Sequence, residues 1–172
     1  MGKILAFVGS SGAGKTTLMM ELLKRMPEKV FPIVTTTTRA WRGPEDDVFC
    51  KFVTREHIQN LKESGKLAQY LEYAGNTYGC EWVDIDWAVN SGFGIQAYVE
   101  PAIFDLRKAE YEVVPIKIVS DQEVFRDEKR VVEDKERAKI SLDYALTVKN
   151  SFAEGGLEKA VTELINFINA LS

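Results

Sequence analysis

The chain is poor in the residues that many small-protein chemistries require. Two cysteines, Cys50 and Cys80, in 172 residues cannot make a disulfide framework and lack metal-ligand spacing, so both are expected to be reduced thiols. The single histidine, His57, falls on the face of an expected helix and reads as an exposed bystander. No apolar run approaches the length of a membrane span, and the N-terminus enters an apolar strand-like run without a signal peptide. A cytoplasmic protein with no membrane partner is the expectation. Acids outnumber bases, 26 Asp and Glu against 22 Lys and Arg, for a formal charge of −4. That balance argues against a surface built to neutralise a nucleic-acid backbone, while leaving room for a local basic cleft. Internal repeats and low-complexity tracts are also missing. What remains is 45% hydrophobic and 28% charged, enough for one well-buried core and short for two full domains.

The most informative segment is the first. Lys3-Ile4-Leu5-Ala6-Phe7-Val8 is apolar after its lysine, Gly9-Ser10-Ser11-Gly12-Ala13-Gly14-Lys15-Thr16-Thr17 follows, and helical periodicity begins abruptly at Thr16. The pattern G-x-x-x-x-G-K-T between a strand and a helix is a phosphate-binding loop. Gly9, Gly12 and Gly14 let the backbone turn tightly and aim successive N–H groups of residues 9–17 inward, and the helix adds its positive N-terminal end. Lys15 is expected to reach the β- and γ-phosphates of a nucleoside triphosphate, and the Thr16 hydroxyl to bind Mg²⁺.

Strand and helix signals then alternate. A strand over 30–35 ends in the Thr35-Thr36-Thr37-Thr38 run, and the residues to about 83 read as a small insert. Its parts are a charged, proline-containing turn, a strand over 48–53, a helix over 54–64 and a strand over 67–73, with Thr54 as the helix N-cap and Gly65 as its stop. Beyond it come a helix over 84–90, a buried strand over 92–99, a helix over 101–110 and a strand over 111–119. A charged helical stretch over 120–142, a short strand over 144–149 and an amphipathic helix over 157–171 complete the pattern. Such alternation predicts an α/β fold whose mostly parallel sheet is covered by helices on both faces.

Thr36-Thr37-Thr38-Arg39-Ala40-Trp41-Arg42 resembles the T-T-R-x-x-R segment that guanylate kinases carry just after their second strand, and Gly75-Asn76-Thr77-Tyr78-Gly79 resembles their G-N-x-Y-G turn. The stretch from Ser120 to Arg137, with Arg126 and Arg130 four apart, is similar to a shortened form of that family's lid. Leu146-Thr147-Val148-Lys149-Asn150 is similar to the strand end before its last helix. The resemblance implies a P-loop NTPase-type core formed by residues 1–35, 84–123 and 138–172, an acceptor-binding insert over 36–83 and a helical lid over 124–137. It implies a nucleoside monophosphate kinase that moves the γ-phosphoryl of Mg·ATP onto a monophosphate, with Mg²⁺ and ATP as its cofactor and co-substrate and a monomer or homodimer as the assembly. Thr35, Thr36, Arg39, Arg42 and Tyr78 would bind the acceptor, Arg39 and Arg42 as paired guanidinium forks on its phosphate. Arg126, Arg130 and Arg137 would close over the donor phosphates and exclude water. The same three arginines lie among many acids, where solvated ion pairs are the competing reading.

Departures from the family fall on the positions that read the base. Gln69 stands where the family has a glutamate that accepts hydrogen bonds from guanine. A carboxylate is acceptor-only, whereas an amide presents an acceptor beside donors. Guanine's adjacent donors would meet one mismatched N–H, and the acceptor-plus-donor edge of thymine, uracil or adenine would match. An unpaired polar group in a dry pocket costs about 1–3 kcal/mol, enough to discriminate. Cys50 replaces a phosphate-binding tyrosine and Cys80 a base-reading serine, while Gln96-Ala97-Tyr98 takes the place of a D-x-D strand. Tyr98 is a candidate base platform and Glu100 a candidate substitute acid. Gly43-Pro44-Glu45 replaces the family's x-G-E order and alters the loop. The expectation is a kinase for a pyrimidine or modified deoxynucleotide. A GMP or dGMP kinase, a kinase acting on a base within DNA and a non-catalytic nucleotide-binding module are the alternatives. The acidic charge weighs against the DNA reading, and the intact phosphate loop against the module.

Overall fold

The computed structural model describes residues 2–121 and 128–172. In chain order the elements are β1 (Ile4–Val8), α1 (Lys15–Arg25), β2 (Val30–Pro32), β3 (Thr35–Thr37), α2 (Asp46–Phe49), β4 (Cys50–Phe52), α3 (Arg55–Glu63) and β5 (Leu67–Tyr73). They continue with β6 (Asn76–Glu81), α4 (Trp82–Ser91), β7 (Phe93–Ala97), α5 (Glu100–Lys108), β8 (Val113–Ser120), α6 (Glu128–Arg137), β9 (Leu146–Asn150) and α7 (Gly156–Leu171).

β1 sits at the middle of a wholly parallel sheet of order β2-β7-β1-β8-β9. All five of its side chains are buried, and the pleat sends them alternately to two cores. Leu5 and Phe7 pack with Leu18 and Leu22 of α1 and Leu164 and Ile168 of α7. Ile4, Ala6 and Val8 pack with Ile85 and Val89 of α4 and Ile103 and Leu106 of α5. Each large apolar side chain buried this way contributes about 1.5–3 kcal/mol, so a short apolar run is enough to fix the central strand. The carboxyl ends of the parallel strands open toward one edge, the usual place for ligands in such sheets.

A second sheet of order β4-β3-β6-β5 stands beside that edge. β3 runs parallel to β4 and antiparallel to β6, and β5 and β6 form a hairpin. The hairpin turns at Ala74 and Gly75, both left-handed with φ 50° and 77°, the two-residue geometry whose twist matches antiparallel strands.

Several expectations need correction. The strand expected over 30–35 is two strands in different sheets. Pro32 ends the edge strand β2, having no N–H to continue the ladder, and the chain crosses to β3 after the Ile33 amide bonds the Ile95 carbonyl. The strand expected over 48–53 opens as the helical turn α2, whose first amides donate to the carbonyls of Gly43, Pro44 and Glu45. The G-N-x-Y-G segment is mostly strand, because β6 pairs on both sides. Of the charged stretch expected over 120–142, α6 is the helical part among the described residues. The α3 cap is as expected, with Thr54 Oγ1 accepting from the His57 amide at 3.2 Å and Gly65 left-handed just beyond. His57 itself is exposed. No helix among the described residues is long and apolar enough to cross a membrane.

Candidate active site

The loop over residues 9–14 leaves the C-terminal end of β1 and caps α1. Gly14 is the helix N-cap, left-handed at φ 86°, and Gly12 has φ 81°. A Cβ on Gly9 would lie 2.4 Å from the Ile118 carbonyl oxygen, so the loop can lie against β8 only as glycine there. Asn150, buried at the end of β9, donates to the Ala13 carbonyl at 2.9 Å and ties the loop to the far side of the sheet. The first turn of α1 contains no acid, which leaves its positive end uncompensated from within the helix. Lys15 Nζ donates to the Gly9 and Ser10 carbonyls at 2.7 and 2.9 Å, so the ammonium is held against the loop rather than extended away from it. Thr16 faces the main cleft; Thr17, exposed on the same turn, lines neither this cleft nor its neighbour.

Two clefts adjoin the loop. One runs from Gly9, Lys15 and Thr16 to the second sheet; the other runs along Ser10, Gly12 and Ala13 toward Ser120 and Asp121. Gly9, Ser11 and Arg137 border both.

Across the first cleft from Lys15, the segment after β3 brings in Arg39 and Arg42. Arg39 is engaged fork to fork by Asp46 of α2, with Nη1–Oδ2 2.8 Å and Nη2–Oδ1 2.6 Å. Asp46 also accepts from the Arg42 amide at 2.7 Å. The hydrogen bond from Arg39 holds the Asp46 carboxyl below the usual carboxylate range. Cys50 Sγ accepts from Arg39 Nη2 at 3.4 Å, and burial pushes this thiol up. Tyr78 of β6 faces the same space, and burial pushes its phenol up as well, keeping it a hydrogen-bond donor.

The base-reading residues expected from sequence separate into two groups. Gln69 of β5 is only 4% exposed and faces the cleft, as does Thr35. Thr36 does not: strand alternation turns it to the opposite face, where Oγ1 donates to Glu81 Oε1 at 3.4 Å. Cys80 is a second correction. It is fully buried behind the cleft wall, with Sγ 3.7 Å from Thr35 Oγ1 and 3.5 Å from the Tyr98 hydroxyl, and burial pushes its thiol up to about 11. Tyr98 is a third. It forms part of the wall, but its ring is packed in the core and its hydroxyl is taken by Cys80, so it is no free stacking platform. Gln96 stands where an acid was sought and is a strut. Nε2 donates to the Ile33 and Phe49 carbonyls at 2.6 and 3.1 Å, and Oε1 accepts from the Ala97 amide at 2.8 Å. Asp84 and Asp86 of α4 lie outside both clefts, paired with Lys51 at 2.6 Å and the Tyr111 hydroxyl at 2.7 Å.

Arg137, the last residue of α6, forms the partition between the clefts. Its Nε donates to Glu100 at 2.6 Å and its Nη1 to Asp134 at 2.8 Å, and Glu100 also accepts from the Tyr144 hydroxyl at 3.4 Å. Glu100 is thus spent on Arg137 rather than offered to a metal. Arg126 lies outside the described residues. Arg130 belongs to α6, but its side chain lies outside them too.

Residues 1–170 match the family model described as Guanylate kinase. The chain belongs to the guanylate kinase family. A guanylate kinase of Desulfitobacterium hafniense is 31% identical over 99 residues, 58% of this chain and 50% of the relative. One from a Synechococcus species is 40% identical over 78 residues, 45% of this chain and 36% of the relative. The chain thus spans half or less of the curated relatives it matches. In three dimensions, the crystal structure of guanylate kinase from Anaplasma phagocytophilum superposes with TM-score 0.73 at 21% identity, covering 98% of this chain and 85% of that one. The likeness at that identity is one of fold.

Within this guanylate kinase-type site, three contributors escaped the sequence reading. Asp46 had a signal, since Glu45-Asp46-Asp47 places acids directly after the arginine pair. Asp134 had one too, standing three residues before Arg137 on the same helix. Tyr73 had none: its ring meets Arg137 from β5, and local periodicity carries no information about that.

Proposed function

We propose that the chain transfers the γ-phosphoryl group of Mg·ATP to a nucleoside monophosphate. The carrying observation is that two anion-binding sets face each other across one cleft: the loop with Lys15 on one side, Arg39, Arg42 and Tyr78 on the other. Phosphoryl transfer needs little covalent help from protein. It needs the two phosphates aligned and their charge neutralised, which positioned cations and amides do. Lys15 and the loop amides take the donor phosphates; Arg42 takes the acceptor phosphate, with Arg39 beside it as a fixed positive charge rather than the expected second fork, because its Nη groups are taken by Asp46, the Ala40 carbonyl and Cys50. Arg137 is assigned to cover the transferring group. No group of three His, Cys, Asp or Glu side chains among the described residues would hold a metal by itself. This fits a Mg²⁺ ion that arrives on the nucleotide and takes one protein oxygen, the Thr16 hydroxyl. When bound, the ion supplies charge neutralisation on the phosphates. The insert over 36–83 and the lid over 124–137 are read as the parts that close on the acceptor and donor.

For the base, Gln69 supports an acceptor-plus-donor edge, as on thymine, uracil or adenine. It lines the cleft together with apolar groups such as Leu71, Val99 and Ala102, and a mismatched N–H left unpaired there would be costly. The second reading is GMP or dGMP, favoured by relatives that are guanylate kinases. ADP release from Mg·ATP across purine and pyrimidine ribo- and deoxynucleoside monophosphates tests both. A pyrimidine or AMP as the sole strong acceptor supports the Gln69 reading, and GMP or dGMP replaces it. Silence on all of them overturns the proposed reaction.

A further inference from the structure

The lid helix brings an acid to the phosphate loop. Asp134 Oδ2 accepts from the Ser11 amide at 3.3 Å, while Oδ1 accepts from the Tyr73 hydroxyl at 2.9 Å and from Arg137 Nη1 at 2.8 Å. One residue earlier, Glu133 Oε1 accepts from the Ala74 amide at the β5–β6 turn, 2.8 Å away. The helix is thereby moored to the insert through Tyr73 and Ala74, and it meets the loop with a carboxylate. Ser11 is one of the amides that a phosphate in this loop would use, and it borders both clefts.

We propose that Asp134 is an internal anion that occupies the Ser11 amide of the phosphate loop until a nucleotide displaces it. The lengths of the bonds favour such an exchange. The Ser11 contact is longer than those to Tyr73 and Arg137 and lies just beyond the usual N–H···O range. Tyr73 of the insert and Arg137 of the lid therefore hold the carboxylate more firmly than the loop does. An incoming phosphate draws on several loop amides and on Lys15, whereas a carboxylate left beside it would repel it. Asp134 thus gates the donor site.

The inference rests on the loop as donor site and not on the transfer reaction, so nucleotide binding without acceptor tests it. ADP is titrated calorimetrically into the wild type, Asp134→Asn and Tyr73→Phe. Asp134→Asn keeps the shape and removes the charge, and is expected to bind ADP about tenfold tighter. Tyr73→Phe loosens the mooring and leaves the charge, and is expected to tighten binding by a smaller factor. A purely structural Asp134 would give weaker binding in both. A folded Asp134→Asn protein with equal or weaker affinity overturns the gate. Should that variant not fold, Tyr73→Phe decides in the same sense. ADP binding by Asp134→Asn alone, with a silent wild type, supports the gate in its strongest form. Silence in all three proteins overturns the gate and the donor-site reading together, whereas tighter binding without any monophosphate kinase activity overturns the reaction alone.

Discussion

Arg39 and Asp46 meet fork to fork at 2.8 and 2.6 Å, with side chains only 10% and 13% exposed. The carboxylate also takes the Arg42 amide, so one acid fixes the plane of the first guanidinium and the course of the loop that presents the second. Bidentate guanidinium–carboxylate geometry is strong and directional. It holds Arg39 oriented before an acceptor arrives, which lowers the ordering cost of binding.

Asp46→Asn is expected to cost about 2 kcal/mol of stability at neutral pH and to raise the acceptor KM more than it lowers kcat. The bond from Arg39 lowers the folded-state pKa of Asp46. The contribution is therefore complete above the ordinary aspartate value of about 3.9 and is lost as pH falls through the lowered folded value. Urea midpoints of wild type and variant, followed against pH, should differ at neutrality and converge in acid. A gap that persists in acid contradicts the assignment.

Gly14→Ala tests the phosphate loop. A Cβ there would lie 2.2 Å from Asn150 Nδ2, at a φ of 86°. Asn150 cannot swing aside without leaving the Ala13 carbonyl unpaired. Left-handed strain and the lost bond together are expected to cost about 3 kcal/mol and to remove ADP binding. An unchanged melting temperature would show that the loop is built differently.

The thiols offer a chemical readout of burial. Cys80 is fully buried with its thiol pushed up to about 11, and burial raises Cys50 as well. A disulfide reagent at about pH 8, where an ordinary thiol is partly thiolate, should label Cys50 slowly and Cys80 only after unfolding in urea. Rapid labelling of native Cys80 contradicts its placement behind the cleft wall.

Gln69→Glu replaces an amide by an acceptor-only carboxylate and is expected to move acceptor preference toward guanine by about tenfold, matching the cost of one mismatched group. The ratio of kcat/KM for GMP to that for the best pyrimidine monophosphate measures it. An unchanged ratio removes Gln69 as the base reader.

Much of this site was legible because its chemistry is written locally. The strand, loop and helix around Lys15 are consecutive, and Arg39 and Arg42 sit three apart behind a threonine run. The missed parts depend on placement. Thr36 has a suitable side chain but points away from the cleft, since alternation along β3 decides orientation and one residue of register reverses it; Cys80 shares the cleft-facing side of β6 with Tyr78 but lies deeper, against Thr35 and Tyr98. Gln96, expected to mark a lost acid, instead ties β7 to the Ile33 and Phe49 carbonyls. Asp134 reaches Ser11 across 123 positions of sequence, a contact that only the assembled fold creates. The β5–β6 hairpin was half visible: its glycine marked a turn, but the left-handed Ala74 beside it carries no sequence signal.

The most direct test of the central claim follows the label from γ-labelled ATP, with Mg²⁺ and the best monophosphate acceptor, in the wild type and in Lys15→Ala. The account predicts label in the nucleoside diphosphate for the wild type, and none for a Lys15→Ala protein whose circular dichroism is unchanged. Label found only in inorganic phosphate, or full transfer without Lys15, would contradict it.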